Sequence, residues 1–255
     1  MNPFDQQKPI EGVKKIIAVG SGKGGVGKST ISSNLATTLS LKGFKVGLLD
    51  ADVYGPSVPS LFGCLEQRPE LEGDKMVPLE RYGVKLMSMG FLIEEDQPVI
   101  WRGPMLFKAI DQFLNDVVWG ELDYLIVDLP PGTGDIALTL AQKTPIEAAL
   151  VVTTPQSLSL SEVKKAVMMF RKVGVPVAGL IQNMSGLKLP SGETVNLFPE
   201  GDFKQLCKDY DIPKSISVPF EPKVGQTAEA GIPFVKTAKD SDSLKAFEEI
   251  ASLIS

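Results

Sequence analysis

Apolar stretches of strand length alternate with amphipathic stretches of helical length along most of the chain. The predicted strands are Lys15–Val19, Lys45–Leu49, Val84–Met89, Tyr124–Val127, Ala148–Val152, Val177–Ile181 and Ser215–Val218. The predicted helices are Ser29–Leu41, Pro104–Val118, Ala137–Lys143, Ser159–Val173, Phe203–Tyr210 and Ser241–Ile254. The strands lack clean polar alternation, which indicates burial on both faces, as in central parallel strands. The pattern therefore predicts an α/β fold with a single doubly wound, mostly parallel sheet flanked by helices.

Two stretches do not fit this alternation. Gly63–Tyr82 contains Pro69, Gly73 and Pro78, and Gly186–Asp202 is similarly irregular, so both are predicted as loops. In a doubly wound sheet, ligands bind at the carboxyl ends of the strands. Functional residues are therefore expected directly after the predicted strands.

A glycine-rich run follows the first strand and opens the first helix. Residues 22–30 read Gly-Lys-Gly-Gly-Val-Gly-Lys-Ser-Thr, which fits the phosphate-loop pattern G-x-x-x-x-G-K-[ST]. The backbone N–H groups of such a loop bind phosphate oxygens, and the helix N-terminus adds a partial positive charge. The pattern predicts that Lys28 contacts the β- and γ-phosphates and that Ser29 ligates Mg²⁺. The residues expected at the nucleotide are Gly22, Lys23, Gly24, Gly25, Val26, Gly27, Lys28, Ser29 and Thr30.

Composition narrows the class of protein. The chain has 255 residues and no histidine, so imidazole is excluded as a general base or zinc ligand. Its net charge of −5 disfavours non-specific binding of nucleic acid, and no apolar run reaches the length of a membrane span. The polar segment Met1–Glu11 lacks the apolar core of a signal peptide, so we expect a cytoplasmic protein. Residues 1–13 are interpreted as a flexible N-terminal arm and residues 14–255 as one phosphate-loop ATPase domain.

Carboxylates follow two of the predicted strands. Asp128 ends Tyr124–Val127, and beside a phosphate loop this is the expected position of the acid on the Mg²⁺ side. Asp50 and Asp52 follow Lys45–Leu49, and residues two apart at a strand end project from the same side of the chain. We assign Asp50 to the metal side and Asp52 to the attacking water, although the reverse assignment is open.

One polar residue follows a later strand. Asn183 lies just after Val177–Ile181, where a side-chain amide can read the adenine edge with both a donor and an acceptor. Asn is also common in turns, so this prediction rests on position alone.

Lys23 distinguishes this loop from the ordinary phosphate loop. With two lysines, the run resembles the deviant phosphate loop (deviant Walker A) of MinD, ParA, the arsenite-pump ATPase, the nitrogenase iron protein and the Mrp family. The resemblance implies that Lys23 crosses a dimer interface and contacts the phosphates bound by the partner subunit. A cation supplied in trans stabilises the charge that develops during phosphoryl transfer.

Further runs resemble the Mrp family of ATPases, also called ApbC-like, over about residues 14–240. They are Leu49–Ser57, Trp101–Met105, Trp119–Tyr124, Asp128–Asp135, Thr153–Gln156 and Asn183–Ser185. The resemblance implies a cytosolic homodimeric ATPase that binds ATP and Mg²⁺ and carries iron–sulfur clusters to apoproteins. It also implies a contact between Asn183 and the base.

The chain departs from the family at its cluster ligands. Family members that carry clusters have Cys-Pro-x-Cys shortly after the Asn-Met-Ser run, and two thiolates from each subunit then bind a bridging cluster. With Pro190 on the family proline, Leu189 and Gly192 occupy the cysteine positions, and Ser191 between them is a poor ligand. The two cysteines, Cys64 and Cys207, lie far away in sequence. We therefore do not expect the usual bridging iron–sulfur cluster.

Several functions remain open on these residues. The first hypothesis is an Mrp-type ATPase in iron–sulfur maturation that works without its own bridging cluster, with a cysteine-bearing paralogue or apo client proteins as partners. The alternative is a ParA/MinD-like positioning switch, but the run Ser241–Ile250 is acidic on balance, whereas a membrane-binding tail is basic. An electron donor like the nitrogenase iron protein is a third, weaker possibility, since it also needs bridging cysteines.

Overall fold

The computed structural model describes residues 7–53, 55–92, 103–132, 134–189, 191–199 and 201–255. Met1–Gln6, which are part of the predicted arm, lie outside the described residues, as do Tyr54, Trp101, Arg102 and Thr133 of the family-like runs and Pro190.

The described strands and helices follow the predicted alternation. The strands are β1 (Val13–Ser21), β2 (Val46–Asp50), β3 (Glu70–Glu72), β4 (Lys75–Val77), β5 (Leu79–Arg81), β6 (Val84–Ser88), β7 (Leu122–Asp128), β8 (Ala148–Thr153), β9 (Val177–Asn183), β10 (Leu187–Lys188), β11 (Thr194–Val195) and β12 (Ser215–Val218). The α-helices are α1 (Lys28–Leu41), α2 (Val58–Leu61), α3 (Gly103–Asn115), α4 (Asp135–Lys143), α5 (Leu160–Lys172), α6 (Phe203–Asp209), α7 (Pro222–Glu229) and α8 (Asp242–Ser252). Short 3₁₀ turns lie at Met89–Leu92, Ser157–Ser159 and Phe234–Lys236.

An eight-stranded sheet forms the centre of the molecule, in the order β12-β9-β8-β1-β7-β2-β6-β5. All neighbours in it are parallel except β5, which pairs antiparallel with β6 at one edge. Burial of β2 along its whole length explains why its sequence lacks alternation. Helices flank this sheet, as the sequence pattern predicts; α1, for example, packs against β2 and α8.

The register of the central strands brings their carboxyl ends together. Asp50 at the end of β2 is the direct Cα partner of Asp128 at the end of β7. β7 also pairs with β1, whose last residue, Ser21, leads into the glycine-rich run. The loop and both carboxylates therefore lie at one edge of the sheet.

Both stretches predicted as loops contain short strands. β3 and β4 form a separate hairpin within 63–82, and Met76 also forms an isolated bridge with Val117. β10 and β11 form a second hairpin within 186–202. The residues of β3 are exposed, so these strands carry no apolar periodicity from which to predict them.

The start of the described chain contacts the body of the domain. The Lys8 N–H donates to the Lys143 carbonyl at 2.8 Å, and Ile10 is buried in the core. Within the described ranges, no helix combines the length and apolar character needed to cross a bilayer.

Candidate nucleotide-binding site

The glycine-rich run connects the end of β1 to the start of α1. Gly25 and Gly27 have φ angles of 76° and 81°, in the left-handed region that favours glycine. A β-carbon on Gly27 would also lie 2.2 Å from Asn183 Nδ2. Glycine at position 27 therefore avoids both an unfavourable backbone conformation and a clash with Asn183.

The run lines one side of a cavity of about 270 Å³ beyond the carboxyl ends of β1 and β2. Seven of the nine residues predicted at the nucleotide line it, as do Asp52 and Pro131. The lining members of the run are Lys23, Gly24, Gly25, Gly27, Lys28, Ser29 and Thr30. Val26 is instead buried in the core, and Gly22 packs against the backbone of Glu162.

Lys28 is almost completely buried between two carboxylates. Its Nζ lies 2.9 Å from Asp128 Oδ2 and 3.8 Å from Asp52 Oδ2. A buried charge of this kind needs a partner of opposite charge, because desolvation otherwise costs several kcal/mol. The structure thus places the loop lysine and two of the predicted acids in one ionic cluster.

Asp128 is fully buried and accepts hydrogen bonds from two hydroxyl groups of α1. Ser29 Oγ donates to Asp128 Oδ2 at 2.5 Å, and Ser32 Oγ lies 2.6 Å from Asp128 Oδ1. The hydroxyl predicted for Mg²⁺ and the acid predicted on the metal side therefore lie in direct contact.

Asp50 occupies a different environment from Asp52. Its carboxylate is completely buried and accepts hydrogen bonds from the N–H groups of Asp52 and Val58 and from Ser88 Oγ. Burial, and then the neighbouring Asp128 charge, raises the pKa of Asp50 to about 7. Asp50 thus holds the backbone at Asp52 and Val58, whereas the Asp52 residue itself lines the cavity.

A second cavity, of about 170 Å³, adjoins the first and shares Gly27 and Thr30 with it. Asn183 lines this cavity together with the apolar residues that follow β12, including Phe220 and Pro222. The Asn183 Nδ2 group donates to the Val26 carbonyl at 2.9 Å. The side chain predicted to read the base therefore also fixes the glycine-rich run.

The hairpin β10–β11 occupies the place of the family cysteine motif. Its turn is closed by hydrogen bonds from the Leu189 N–H to the Glu193 carbonyl and from the Gly192 N–H to the Leu189 carbonyl. Cys64 and Cys207 are both buried, and burial raises the pKa of each thiol. Among the residues that the structure describes, no group of three or more His, Cys, Asp or Glu side chains is arranged to hold a metal ion.

Three contacts of this site were not predicted from the sequence. Ser88 donates to Asp50, Gln156 accepts from Lys23, and Ser32 contacts Asp128. Ser32 lies three residues after Ser29 on α1, so helical spacing could have placed both hydroxyl groups on one face. No comparable signal links the other two residues to their partners, which are far away in sequence.

Replacing Ser32 with alanine is expected to lower the free energy of unfolding by about 1–3 kcal/mol, because Asp128 loses a buried hydrogen-bond donor. Ser33 offers a matched control on the same helix, since its hydroxyl is buried and without a hydrogen-bond partner among the described residues. We expect Ser33→Ala to change stability by less than about 0.5 kcal/mol. Denaturant unfolding of the two variants measures the difference, and equal losses would contradict the assignment.

The chain is similar to known proteins over nearly its whole length. The family model of the NUBPL iron-transfer P-loop NTPase matches residues 12–255. The chain is 50% identical over 256 residues to an iron-sulfur cluster carrier protein of Aquifex aeolicus, covering 99% of this chain and 70% of the relative. A solved nucleotide-binding protein of Archaeoglobus fulgidus in complex with ADP is 35% identical, with a TM-score of 0.80 and 96% of both chains covered.

A more distant structure extends the fold comparison. The cell division ATPase MinD of Pyrococcus furiosus superposes with a TM-score of 0.69 at 22% identity, covering 94% of this chain and 98% of that one. This likeness confirms the MinD/ParA type of fold that the two-lysine loop predicted. By the match over nearly its whole length, the chain belongs to the NUBPL iron-transfer family of P-loop NTPases.

Proposed function

We propose that this chain hydrolyses ATP with Mg²⁺ as a homodimer and serves iron–sulfur cluster transfer without a bridging cluster of its own. The observation that supports the ATPase most directly is the ionic cluster of Lys28, Asp128 and Asp52 beside the hydroxyl of Ser29. It combines one buried cation, one metal-side acid and one carboxylate on the cavity wall at a phosphate loop.

Each residue of the cluster has a role in this proposal. Lys28 exchanges Asp128 for the β- and γ-phosphates, and Ser29 and Asp128 hold Mg²⁺ directly or through water. Mg²⁺ neutralises charge on the phosphate oxygens. Asp52, on the cavity wall, orients the attacking water, while the buried Asp50 fixes the loop that carries it. Asp128 is therefore a better candidate than Asp50 for the carboxylate on the Mg²⁺ side of the site.

The second cavity suits the adenine base. It shares the lining residues Gly27 and Thr30 with the phosphate cavity, and its walls combine apolar side chains with the Asn183 amide. Ligand pockets commonly have this composition, in which apolar walls bury the ring and a few polar groups orient it. One Asn183 N–H already contacts Val26, which leaves the remaining amide groups for the base.

The iron–sulfur role comes from the family, and the cluster is cargo in this proposal. The hairpin turn at Leu189–Gly192 offers no thiolate, and both cysteines are buried elsewhere. Four thiolates are the usual complement of a cluster. We therefore place the ligands on a partner, either a cysteine-bearing paralogue or an apo client protein, while this chain supplies the nucleotide switch.

Lys23→Ala is expected to lower the ATPase turnover number at least about 100-fold, because the partner's phosphates lose a cation in the transition state. ATP affinity should stay within about twofold, since Lys28 and the loop backbone remain. Steady-state kinetics and equilibrium dialysis measure the two quantities. Lys42→Ala, at the exposed far end of α1, is the matched control and should leave both unchanged.

Mixed dimers distinguish a lysine that acts in trans from one that acts within its own subunit. A Lys23→Ala subunit paired with an Asp52→Ala subunit has one complete site only if Lys23 crosses the interface. Equal mixing should then restore about a quarter of wild-type turnover, because half the dimers are mixed and each has one working site. An inactive mixture, or an active Lys23→Ala homodimer, would refute the dimeric mechanism.

A further inference from the structure

Lys23 makes a specific contact that its predicted role does not include. Its Nζ donates a hydrogen bond to Gln156 Oε1 at 3.0 Å, across 133 positions of the sequence. Its own backbone is also fixed, because Ser21 Oγ donates to the Lys23 carbonyl at 3.0 Å. Lys23 therefore has one hydrogen bond at its backbone carbonyl and one at its ammonium.

Gln156 lies on a well-supported turn after β8. The Pro155 carbonyl accepts from the Gly201 N–H at 2.9 Å, and the Gln156 carbonyl accepts from the Ser159 N–H at 2.8 Å. The buried hydroxyl groups of Thr154 and Ser159 lie 3.3 Å apart across the same turn. These contacts fix the backbone from which the Gln156 amide extends.

The first turn of α5, a few residues after this turn, packs closely against the glycine-rich run. A β-carbon on Gly22 would lie 2.4 Å from the backbone of Glu162, in the first turn of α5. The residue before Lys23 and the helix that follows Gln156 are therefore close neighbours, and this packing brings the Gln156 amide within reach of the lysine ammonium.

The chemistry of the amide matters as much as its position. A lysine ammonium has three donors, and one bond to a neutral amide oxygen leaves two donors and the full positive charge. A carboxylate at the same position would form an ion pair and neutralise that charge. An amide therefore orients the cation without lowering its electrostatic effect on a phosphate.

We propose that Gln156 is the positioning residue for Lys23, which orients its ammonium for contact with phosphates across the dimer interface. This inference rests on the proposed in-trans role of Lys23. An ammonium that already has a fixed direction loses less conformational freedom when the dimer forms. More of its interaction free energy with the phosphates then stabilises the transition state.

Gln156→Met keeps the size of the side chain but removes the amide acceptor. We expect the turnover number to fall about two- to tenfold, because the lysine charge remains and only its orientation by one hydrogen bond is lost. Gln156→Glu should reduce turnover at least as much, because the carboxylate neutralises Lys23. The KM for ATP and the affinity for ADP should stay within about twofold in both variants. Gln142→Met, at an exposed position of α4, is the matched control and should behave as wild type.

A double-mutant cycle with Lys23→Ala separates positioning from a general effect on the fold. If Gln156 acts through Lys23, adding Gln156→Met to Lys23→Ala causes no further loss of turnover. Wild-type turnover in Gln156→Met, or an equal loss in the Lys23→Ala background, would overturn this inference and leave the proposed function intact. Wild-type turnover in Lys23→Ala would overturn both.

Discussion

Replacing Lys28 with alanine is expected to abolish ATP hydrolysis and to weaken ATP binding at least about 100-fold. Among the described residues that line the cavity, Lys28 is the only buried cation, and the variant removes its contact with the phosphates. Lys28 is buried against Asp128 and Asp52, so its removal also takes a positive charge away from two carboxylates beside the site of the incoming phosphates. Like-charge repulsion then adds to the loss of attraction. Isothermal titration with Mg-ATP and a phosphate-release assay measure both effects.

The Lys42→Ala variant is again the control. Lys42 is exposed and directly follows the C-terminal end of α1, whereas Lys28 begins that helix. Thermal unfolding of Lys28→Ala shows whether the fold survives the loss of the ion pair. A folded Lys28→Ala protein that bound Mg-ATP with wild-type affinity would contradict the assignment of the cavity.

Much of the site could be predicted because it depends on strand ends. A parallel sheet brings the carboxyl ends of neighbouring strands to one edge, so an aspartate that ends a strand lies near the loop that follows another. Asp128 and Asp50 satisfy this rule through the register of β7 with β2. The loop was also predictable, because its shape requires glycine at Gly25 and Gly27, which both have positive φ angles.

Contacts between side chains from distant segments could not be predicted in this way. The bond between Lys23 and Gln156 depends on how the turn after β8 packs against the glycine-rich run, and no local pattern encodes that packing. The same is true of Asn183, whose position after a strand was informative but whose bond to Val26 was not. The different surroundings of Asp50 and Asp52 likewise follow from tertiary burial.

The short strands show a second limit of sequence patterns. β5 forms because it adds to the edge strand β6, and its three residues are too few to show a period. Gly73 lies in the turn between β3 and β4, and Pro69 and Pro78 lie outside the strands, but the residues between them form strands where a loop was predicted. Propensity is a weak guide to such elements, since packing and pairing decide them.

We propose that this chain keeps the nucleotide switch of its family but lacks the ligands for a bridging cluster of its own. Cys64 and Cys207 are 2% and 9% exposed, and each would need to leave the core to bind iron. One cysteine from each subunit would still provide only two of the four usual thiolates. The hairpin from Leu187 to Val195 contains no cysteine that could supply the others.

The most direct measurement is the iron and acid-labile sulfide content of the protein after anaerobic reconstitution with iron and sulfide. We predict a content far below about one cluster per dimer, equal to that of a Cys64→Ser/Cys207→Ser control that has no thiol. A stable cluster near one per dimer, absent from the control, would contradict the claim. Its loss in Cys207→Ser alone would then identify the ligand.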